Sequence, residues 1–141
     1  MSRPRFACDT SVSVPLLMRS HPQHDLIVET LSGRDLCATA HSLAEAYSVL
    51  TRLAGDAQVE PSEAVALIDA WFPEVLTLSE ALATNVHRQL AGVGVAGGAV
   101  YDALVALAAK EHDAVLVTRD ARALGTYEAI KVEVEVLADT V

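Results

Sequence analysis

The hydrophobic pattern of this chain alternates short apolar runs with longer segments of helical periodicity. Five runs predict β-strands, at residues 6–8, 36–40, 75–78, 114–118 and 132–137. The first four are apolar on both faces, which is typical of strands buried in a parallel sheet. In the fifth run valines alternate with Glu133 and Glu135, a pattern that predicts an edge strand with one face in water.

The segments between these runs carry helix start and stop signals. Predicted helices span residues 24–32, 42–54, 61–72, 79–92 and 97–112. Gly33 and Gly55 follow two of them as C-terminal caps do, while Pro61 and Ser79 suit the start of two others. This β-α order with strongly apolar strands predicts an α/β class, with a three-layer α/β/α domain around a central, mainly parallel sheet of about five strands.

Length and composition narrow the class of protein. A chain of 141 residues fits one domain, over 1–141, and is long enough to bury a core without disulfides. The 52% hydrophobic content argues against disorder, and the absence of an apolar run of about 18 residues argues against a membrane span. Two cysteines cannot form a disulfide framework, so we expect a cytoplasmic protein.

Charge argues against a sequence-independent nucleic-acid binder. Acidic side chains number 19 and basic ones 10, which gives a formal net charge of −9, whereas binding to phosphates generally requires a basic face. Most of the basic residues are arginines, whose forked guanidinium suits phosphate. Arg119 and Arg122 lie near the end of the fourth predicted strand.

Two aspartates come directly after predicted strands. Asp9 follows the first strand and Asp120 follows the fourth. Ligands of parallel α/β sheets bind beyond the carboxyl ends of the strands, so both positions are candidates for a site. The alternative is that each aspartate caps the helix that follows it.

Two further carboxylates lie near helix starts. Asp102 is the one charged residue in the segment 97–109, which predicts a buried helix. An isolated carboxylate there costs several kcal/mol, so it is either neutral, paired with an arginine, or a metal ligand. Glu45 lies off the apolar stripe of its helix, where a solvated glutamate and a site residue look the same.

If the sheet is wound as predicted, all four carboxylates converge on one edge. Clustered carboxylates repel each other and raise each other's pKa, so a cluster favours a cation among them. Oxygen ligands alone select Mg²⁺, with Mn²⁺ as a possible substitute, over zinc. Such ions suit phosphoryl chemistry, because they activate water and stabilise charge on a departing oxygen.

Four motifs in order along the chain resemble those of the PIN domain, and more narrowly those of VapC toxins, the ribonuclease halves of bacterial VapBC toxin–antitoxin pairs. These motifs are Asp9-Thr10-Ser11, Leu43-Ala44-Glu45, the segment Gly-Gly-Ala-Val-Tyr-Asp at 97–102, and Thr118-Arg119-Asp120. The resemblance covers nearly the whole chain, and the segment 97–109 is its most specific part.

The resemblance implies a Mg²⁺-dependent endoribonuclease. Asp9 and Asp102 would be the main metal ligands, Asp120 would complete or support the metal site, and Glu45 would hold or position the attacking water. Outer hydrogen bonds would come from Thr10, Ser11 and Thr118. In-line attack of a metal-activated water would leave a 5′-phosphate and a 3′-hydroxyl.

The resemblance also implies partners. It predicts a homodimer and a cognate VapB-type antitoxin whose tail lies in an apolar groove and over the active site. The substrate would be an RNA of the tRNA or rRNA class, and no membrane is involved.

Two other functions compete with this interpretation. The glycines at 92, 94 and 97 form a G-x-G-x-x-G pattern, but a dinucleotide site needs a buried strand directly before it, and residues 85–90 are too polar for one. The non-enzyme alternative is a metal- and antitoxin-binding module without turnover.

Aromatic and histidine residues give weaker signals. We expect Tyr101 to pack in the core, with stacking on a nucleobase as the alternative. No histidine pair has metal-ligand spacing with a third partner, so His41 and the others are expected to have surface or capping roles.

Overall fold

A computed structural model describes residues 3–138, and the other residues of the predicted 1–141 domain lie outside this range. The described chain contains one five-stranded sheet with strand order β3-β2-β1-β4-β5, in which every pairing is parallel. The strands are β1 (Arg5–Cys8), β2 (Asp35–Thr39), β3 (Val75–Leu76), β4 (Val115–Thr118) and β5 (Val134–Val136). The helices are α1 (Thr10–Leu17), α2 (His24–Leu31), α3 (Ala40–Arg52), α4 (Pro61–Trp71), α5 (Glu80–Gly92), α6 (Ala99–Glu111) and α7 (Leu124–Ile130).

Two hydrophobic cores lie on opposite faces of this sheet. Successive strand residues point to opposite faces, and the central strands are apolar on both. Ala7 and Leu116 belong to the core with residues of α5, α6 and α7. Cys8 and Val117 belong to the core with residues of α1 to α4. The predicted three-layer α/β/α architecture is therefore confirmed.

The predicted elements are present, with small differences at their ends. β5 is an edge strand, as its alternating pattern predicted. β3 is limited to two residues, shorter than the predicted strand. α3 begins two residues before the predicted start because Thr39, and not a later residue, caps it. No helix in the described range combines the length and hydrophobicity that a membrane span requires.

The glycine pattern at 92–97 does not follow a strand. It begins at the last residue of α5, and it leads through Gly94 and Gly97, with φ of 76° and 63°, to α6. A positive φ favours glycine. These glycines therefore serve the backbone conformation of the turn between α5 and α6. The dinucleotide-binding alternative fails for this reason.

The sheet register places the ends of β1 and β4 side by side. Cys8 pairs with Val117 in a parallel ladder, and the Asp9 backbone N–H donates to the Val117 carbonyl at 3.0 Å. The segment after β1 and the segment after β4 therefore leave the sheet together. This register brings Asp9 and Asp120 to the same edge.

A buried capping box fixes the start of α3. The Ser42 N–H donates to the Thr39 hydroxyl at 3.2 Å, and the Thr39 N–H donates to the Ser42 hydroxyl at 3.2 Å. Both residues are buried. The capping box joins the end of β2 to the helix that carries Glu45, so it sets where that carboxylate lies.

Removal of this cap should destabilise the fold. We expect Thr39→Ala to lower the free energy of unfolding by about 1 to 2 kcal/mol. The buried Ser42 N–H and the Ser42 hydroxyl would each lose the Thr39 hydroxyl as a hydrogen-bond partner. Thr84→Ala, at an exposed threonine of α5, is the matched control and should change it by less than about 0.5 kcal/mol. Urea denaturation checks both values, and equal values for the two variants would contradict a role of the capping box.

Candidate active site

Four carboxylates line one cavity of about 230 Å³ at the carboxyl edge of the sheet. The cavity is lined by Asp9, Thr10, Ser11, Glu45, Asp102, Val105, Asp120 and Tyr127. The four acidic residues come from the end of β1, the second turn of α3, the first turn of α6, and the segment after β4. All four carboxylates predicted from the sequence therefore meet in one place.

Asp9 is the most buried of the four, with 5% of the residue exposed. It occupies the N-cap position of α1, but its side chain makes no capping bond within hydrogen-bond geometry. Instead the Ser11 hydroxyl donates to Oδ1 at 2.5 Å and the Tyr127 hydroxyl donates to Oδ2 at 2.8 Å. Burial raises the pKa of the Asp9 carboxyl, and these hydrogen bonds oppose that shift.

A hydroxyl network connects the ends of β1 and β4. The Arg119 backbone N–H donates to Ser11 Oγ at 2.8 Å, and Ser11 Oγ lies 3.4 Å from Thr118 Oγ1. Thr118 Oγ1 in turn accepts from the Asp120 N–H at 3.0 Å. Ser11 therefore makes the expected hydrogen bond to a carboxylate, and Thr118 contacts the Ser11 hydroxyl and the Asp120 backbone beside it.

Tyr127 supports Asp9, a role that the sequence motifs did not indicate. The ring is buried in the core formed with α5 and α6. Burial, together with the neighbouring carboxylate, raises the pKa of the Tyr127 hydroxyl, so this hydroxyl stays a proton donor. The available signal was the spacing of Ala123, Tyr127 and Ile130 on one helical face, because a buried tyrosine needs a partner for its hydroxyl.

Asp102 lies in the first turn of α6. The residue is only partly buried, and Tyr101 before it is 58% exposed. The expectation that Tyr101 packs in the core is wrong, because the buried face of α6 begins at Ala103. Burial first, and then the nearby Asp120, Asp9 and Glu45 carboxylates, raise the pKa of Asp102, while Arg122 opposes the shift.

Glu45 points into the cavity from α3 and contacts a histidine one turn earlier. His41 Nε2 lies 3.0 Å from Glu45 Oε1. The His41 ring also stacks on Tyr101, with ring centroids 5.6 Å apart and planes at 10°. The expected surface or capping role of His41 does not include this contact, although its i, i+4 spacing from Glu45 indicates that the two side chains can meet.

Asp120 has two roles in the structure. Its Oδ1 accepts from the Arg122 backbone N–H at 3.0 Å and lies 3.3 Å from Arg122 Nε. The capping alternative is therefore correct for this residue, at a single 3₁₀ turn over Ala121–Ala123. The same carboxylate also lines the cavity, so capping does not exclude a site role.

A second cleft, of about 360 Å³, adjoins the cavity and shares Thr10, Ser11 and Asp120 with it. The additional lining residues are Val14, Pro15, His21, Arg119 and Arg122. The Arg122 side chain is 94% exposed, and one Arg119 guanidinium nitrogen lies 3.3 Å from the Ser11 carbonyl oxygen. Two arginines therefore border an otherwise acidic site.

The donors around the cavity fit a hard divalent cation. Its polar lining consists of four carboxylates and three hydroxyls, with no basic side chain among the described lining residues. Oxygen donors of this kind are the ligands that Mg²⁺ and Mn²⁺ prefer. Within residues 3–138, no three histidine, cysteine or acidic side chains are already gathered as ligands, so we expect a cation to draw the carboxylates closer together.

Comparison with known proteins identifies the family. The model of the PIN domain matches residues 6–128. The chain belongs to the PIN domain family, as the four motifs indicated. Among members of this family, it is 49% identical over 136 residues to Ribonuclease VapC27 of Mycobacterium tuberculosis, covering 96% of this chain and 99% of that protein. It is 41% identical over 133 residues to Ribonuclease VapC40 of the same species, covering 94% and 98%.

Solved structures have the same fold. VapBC2 from Rickettsia felis, bound to a DNA fragment from its promoter, matches with a TM-score of 0.66 at 16% identity, over 94% of this chain and 98% of that chain. FitAcB from Neisseria gonorrhoeae matches with a TM-score of 0.63 at 24% identity, over 92% and 95%. At these identities the likeness concerns the fold alone.

The raised pKa of Asp102 makes the stability of the metal-free protein depend on pH. The folded chain holds this proton more tightly than the unfolded chain, so the carboxyl favours folding at low pH, and the contribution is lost as pH rises through the folded pKa. Asp102→Asn does not titrate. In chelator, we expect its melting temperature to match that of the parent near pH 3.5 and to exceed it increasingly toward about pH 7.

Thermal unfolding followed by circular dichroism measures this difference. Asp69→Asn, at an exposed position of α4, is the control and should show a difference that does not vary with pH. A difference for Asp102→Asn that is also constant with pH would show that folding does not raise the pKa of the Asp102 carboxyl.

Proposed function

We propose that this chain is a Mg²⁺-dependent endoribonuclease, the toxin of a toxin–antitoxin pair. The observation that carries the proposal is the convergence of Asp9, Glu45, Asp102 and Asp120 on one cavity at the carboxyl edge of a PIN fold. Curated relatives at 49% and 41% identity are named ribonucleases, which supports the same class of activity.

The proposed mechanism assigns a task to each carboxylate. Asp9 and Asp102 would hold the cation, and Asp120 would complete or support that site. When bound, Mg²⁺ supplies a more acidic water and stabilises negative charge on the phosphodiester. Glu45 would orient the attacking water for in-line displacement, which leaves a 5′-phosphate and a 3′-hydroxyl.

The surrounding residues hold these carboxylates in place. Ser11 and Tyr127 donate to both oxygens of Asp9, which favours its charged form and fixes the carboxylate plane. His41 Nε2 lies 3.0 Å from Glu45 Oε1, so it would limit the space open to that carboxylate. These contacts prepare the carboxylates before substrate binds.

RNA is the proposed substrate despite the net charge of −9. The cleft with Arg119 and Arg122 adjoins the carboxylate cavity, so phosphates that flank the scissile bond would meet guanidinium groups there. A local basic cleft in an acidic protein favours weak general affinity for RNA and selective cleavage. We infer a substrate of the tRNA or rRNA class and an activity in the cytoplasm.

A cognate antitoxin and a second copy of the chain are the proposed protein partners. The VapBC and FitAcB structures are complexes of this fold, which supports an antitoxin for this chain. A cleft of about 550 Å³ between α1 and α4 is lined by apolar residues including Leu17, Met18, Val59 and Leu67. This cleft could accept an antitoxin tail.

An RNA cleavage assay tests the proposed activity. Purified chain incubated with tRNA and rRNA should cut at defined sites with Mg²⁺ or Mn²⁺ and should stop in chelator. Asp9→Asn and Asp102→Asn should each reduce cleavage to background, because each removes a proposed cation ligand. Asp69→Asn, outside the cavity, should retain the parent rate.

Two results would contradict parts of this proposal. Cleavage that survives Asp102→Asn would overturn the site assignment. A folded parent that binds Mg²⁺ and antitoxin but cuts none of these RNAs would favour the binding module without turnover.

The arginine cleft gives a separate expectation. Arg122→Gln should raise the KM for RNA and reduce the slope of log binding constant against log salt by about 0.7, because one phosphate contact is lost. Arg88→Gln, at an exposed position of α5, should leave both unchanged. Filter binding over a range of NaCl concentrations measures the slope, and equal slopes for the two variants would place the RNA path elsewhere.

A further inference from the structure

We propose that Tyr101 and His41 form a stacking platform for a nucleobase of single-stranded RNA, next to the phosphate that is cut. The inference rests on the proposed function and assigns a specific part of the substrate to a specific surface. The surface consists of the two stacked rings, one from the first turn of α6 and one from the first turn of α3.

Exposure of Tyr101 is the first observation. Within the described chain it is the most exposed large hydrophobic side chain, at 58%. One ring face lies against His41, with nearly parallel planes and centroids 5.6 Å apart. The contact covers only that face, so the rest of the ring is accessible to a ligand. Folding alone gives no reason to expose an aromatic ring on a helix whose following residues are buried.

Position relative to the proposed chemistry is the second observation. Tyr101 directly precedes Asp102, and His41 touches Glu45. The ring pair therefore borders the part of the cavity that these two carboxylates line. A base on the exposed face of Tyr101 would belong to a nucleotide adjacent to the phosphate in the cavity.

The arginine cleft lies at a different part of the cavity rim. It shares Thr10, Ser11 and Asp120 with the cavity, whereas the ring pair adjoins Glu45 and Asp102. A strand of RNA could therefore cross from the guanidinium groups, past the carboxylates, to the aromatic pair. Phosphate contact at one end and base stacking at the other is the combination by which proteins hold single strands.

Base stacking on an aromatic ring is also compatible with the net negative charge of this protein. An acidic chain gains little general attraction for RNA, and contact between a base and an aromatic face does not depend on net charge. Each stacked base typically strengthens binding by a factor of about 5 to 150. This platform would hold an unpaired base, which favours cleavage in loops or single-stranded segments.

The experiment measures binding without cleavage. In an Asp9→Asn background, fluorescence anisotropy compares a labelled 12-residue oligoadenylate with an abasic ribose-phosphate strand of the same length. Tyr101→Leu should weaken binding of oligoadenylate about 5- to 150-fold and leave the abasic strand unchanged. Tyr101→Phe should restore the affinity, because it keeps the ring and loses only the hydroxyl.

Tyr47→Leu is the matched control, since Tyr47 is another exposed tyrosine that lies on α3 and does not belong to the His41–Tyr101 ring pair. It should bind both strands as the background protein does. Equal loss for both strands, no loss for Tyr101→Leu, or no binding of oligoadenylate by the background protein would each overturn the platform.

Cleavage by the parent separates the two proposals. If Tyr101 supports base-dependent binding while the parent cuts no RNA, the platform stands and the proposed ribonuclease fails. If the parent cuts RNA and Tyr101→Leu binds and cuts normally, the ribonuclease stands and the platform fails.

Discussion

The arrangement of the site depends on a buried carboxylate at the end of β1. Asp9 is 5% exposed, and a charge at such a position requires strong donors to persist. Its two oxygens accept from Ser11 in α1 and Tyr127 in α7, helices that pack on opposite faces of the sheet. The hydrogen bonds therefore tie both helical layers to the edge where the carboxylates meet.

The other three carboxylates add a second constraint, since each is less buried and repels its neighbours. Such an arrangement favours a cation more than a stable metal-free state. It is also compatible with the proposed action of an acidic chain on RNA. Four of the 19 acidic residues line the cavity where a cation is expected, while Arg119 and Arg122 border the adjoining cleft.

The central fold was predictable because the buried strands are apolar on both faces and glycine, proline and serine mark the helix ends. The four carboxylates were also predictable as candidates, because strand ends of a parallel sheet share one edge. The exposure of Tyr101 was not, since an apolar helix does not indicate where it leaves the core. Tyr127 was missed because its role depends on a partner 118 residues earlier in the chain.

The proposed site requires that the four carboxylates bind a hard divalent cation, Mg²⁺ or Mn²⁺, at this edge of the sheet. Anomalous diffraction from crystals grown with Mn²⁺, collected at the manganese absorption edge, tests it directly. We expect a peak between the carboxylates of Asp9 and Asp102, and its loss in crystals of Asp102→Asn. A peak elsewhere on the chain with none in this cavity, or a cavity peak that persists without the Asp102 carboxylate, would show that these carboxylates do not form the cation site.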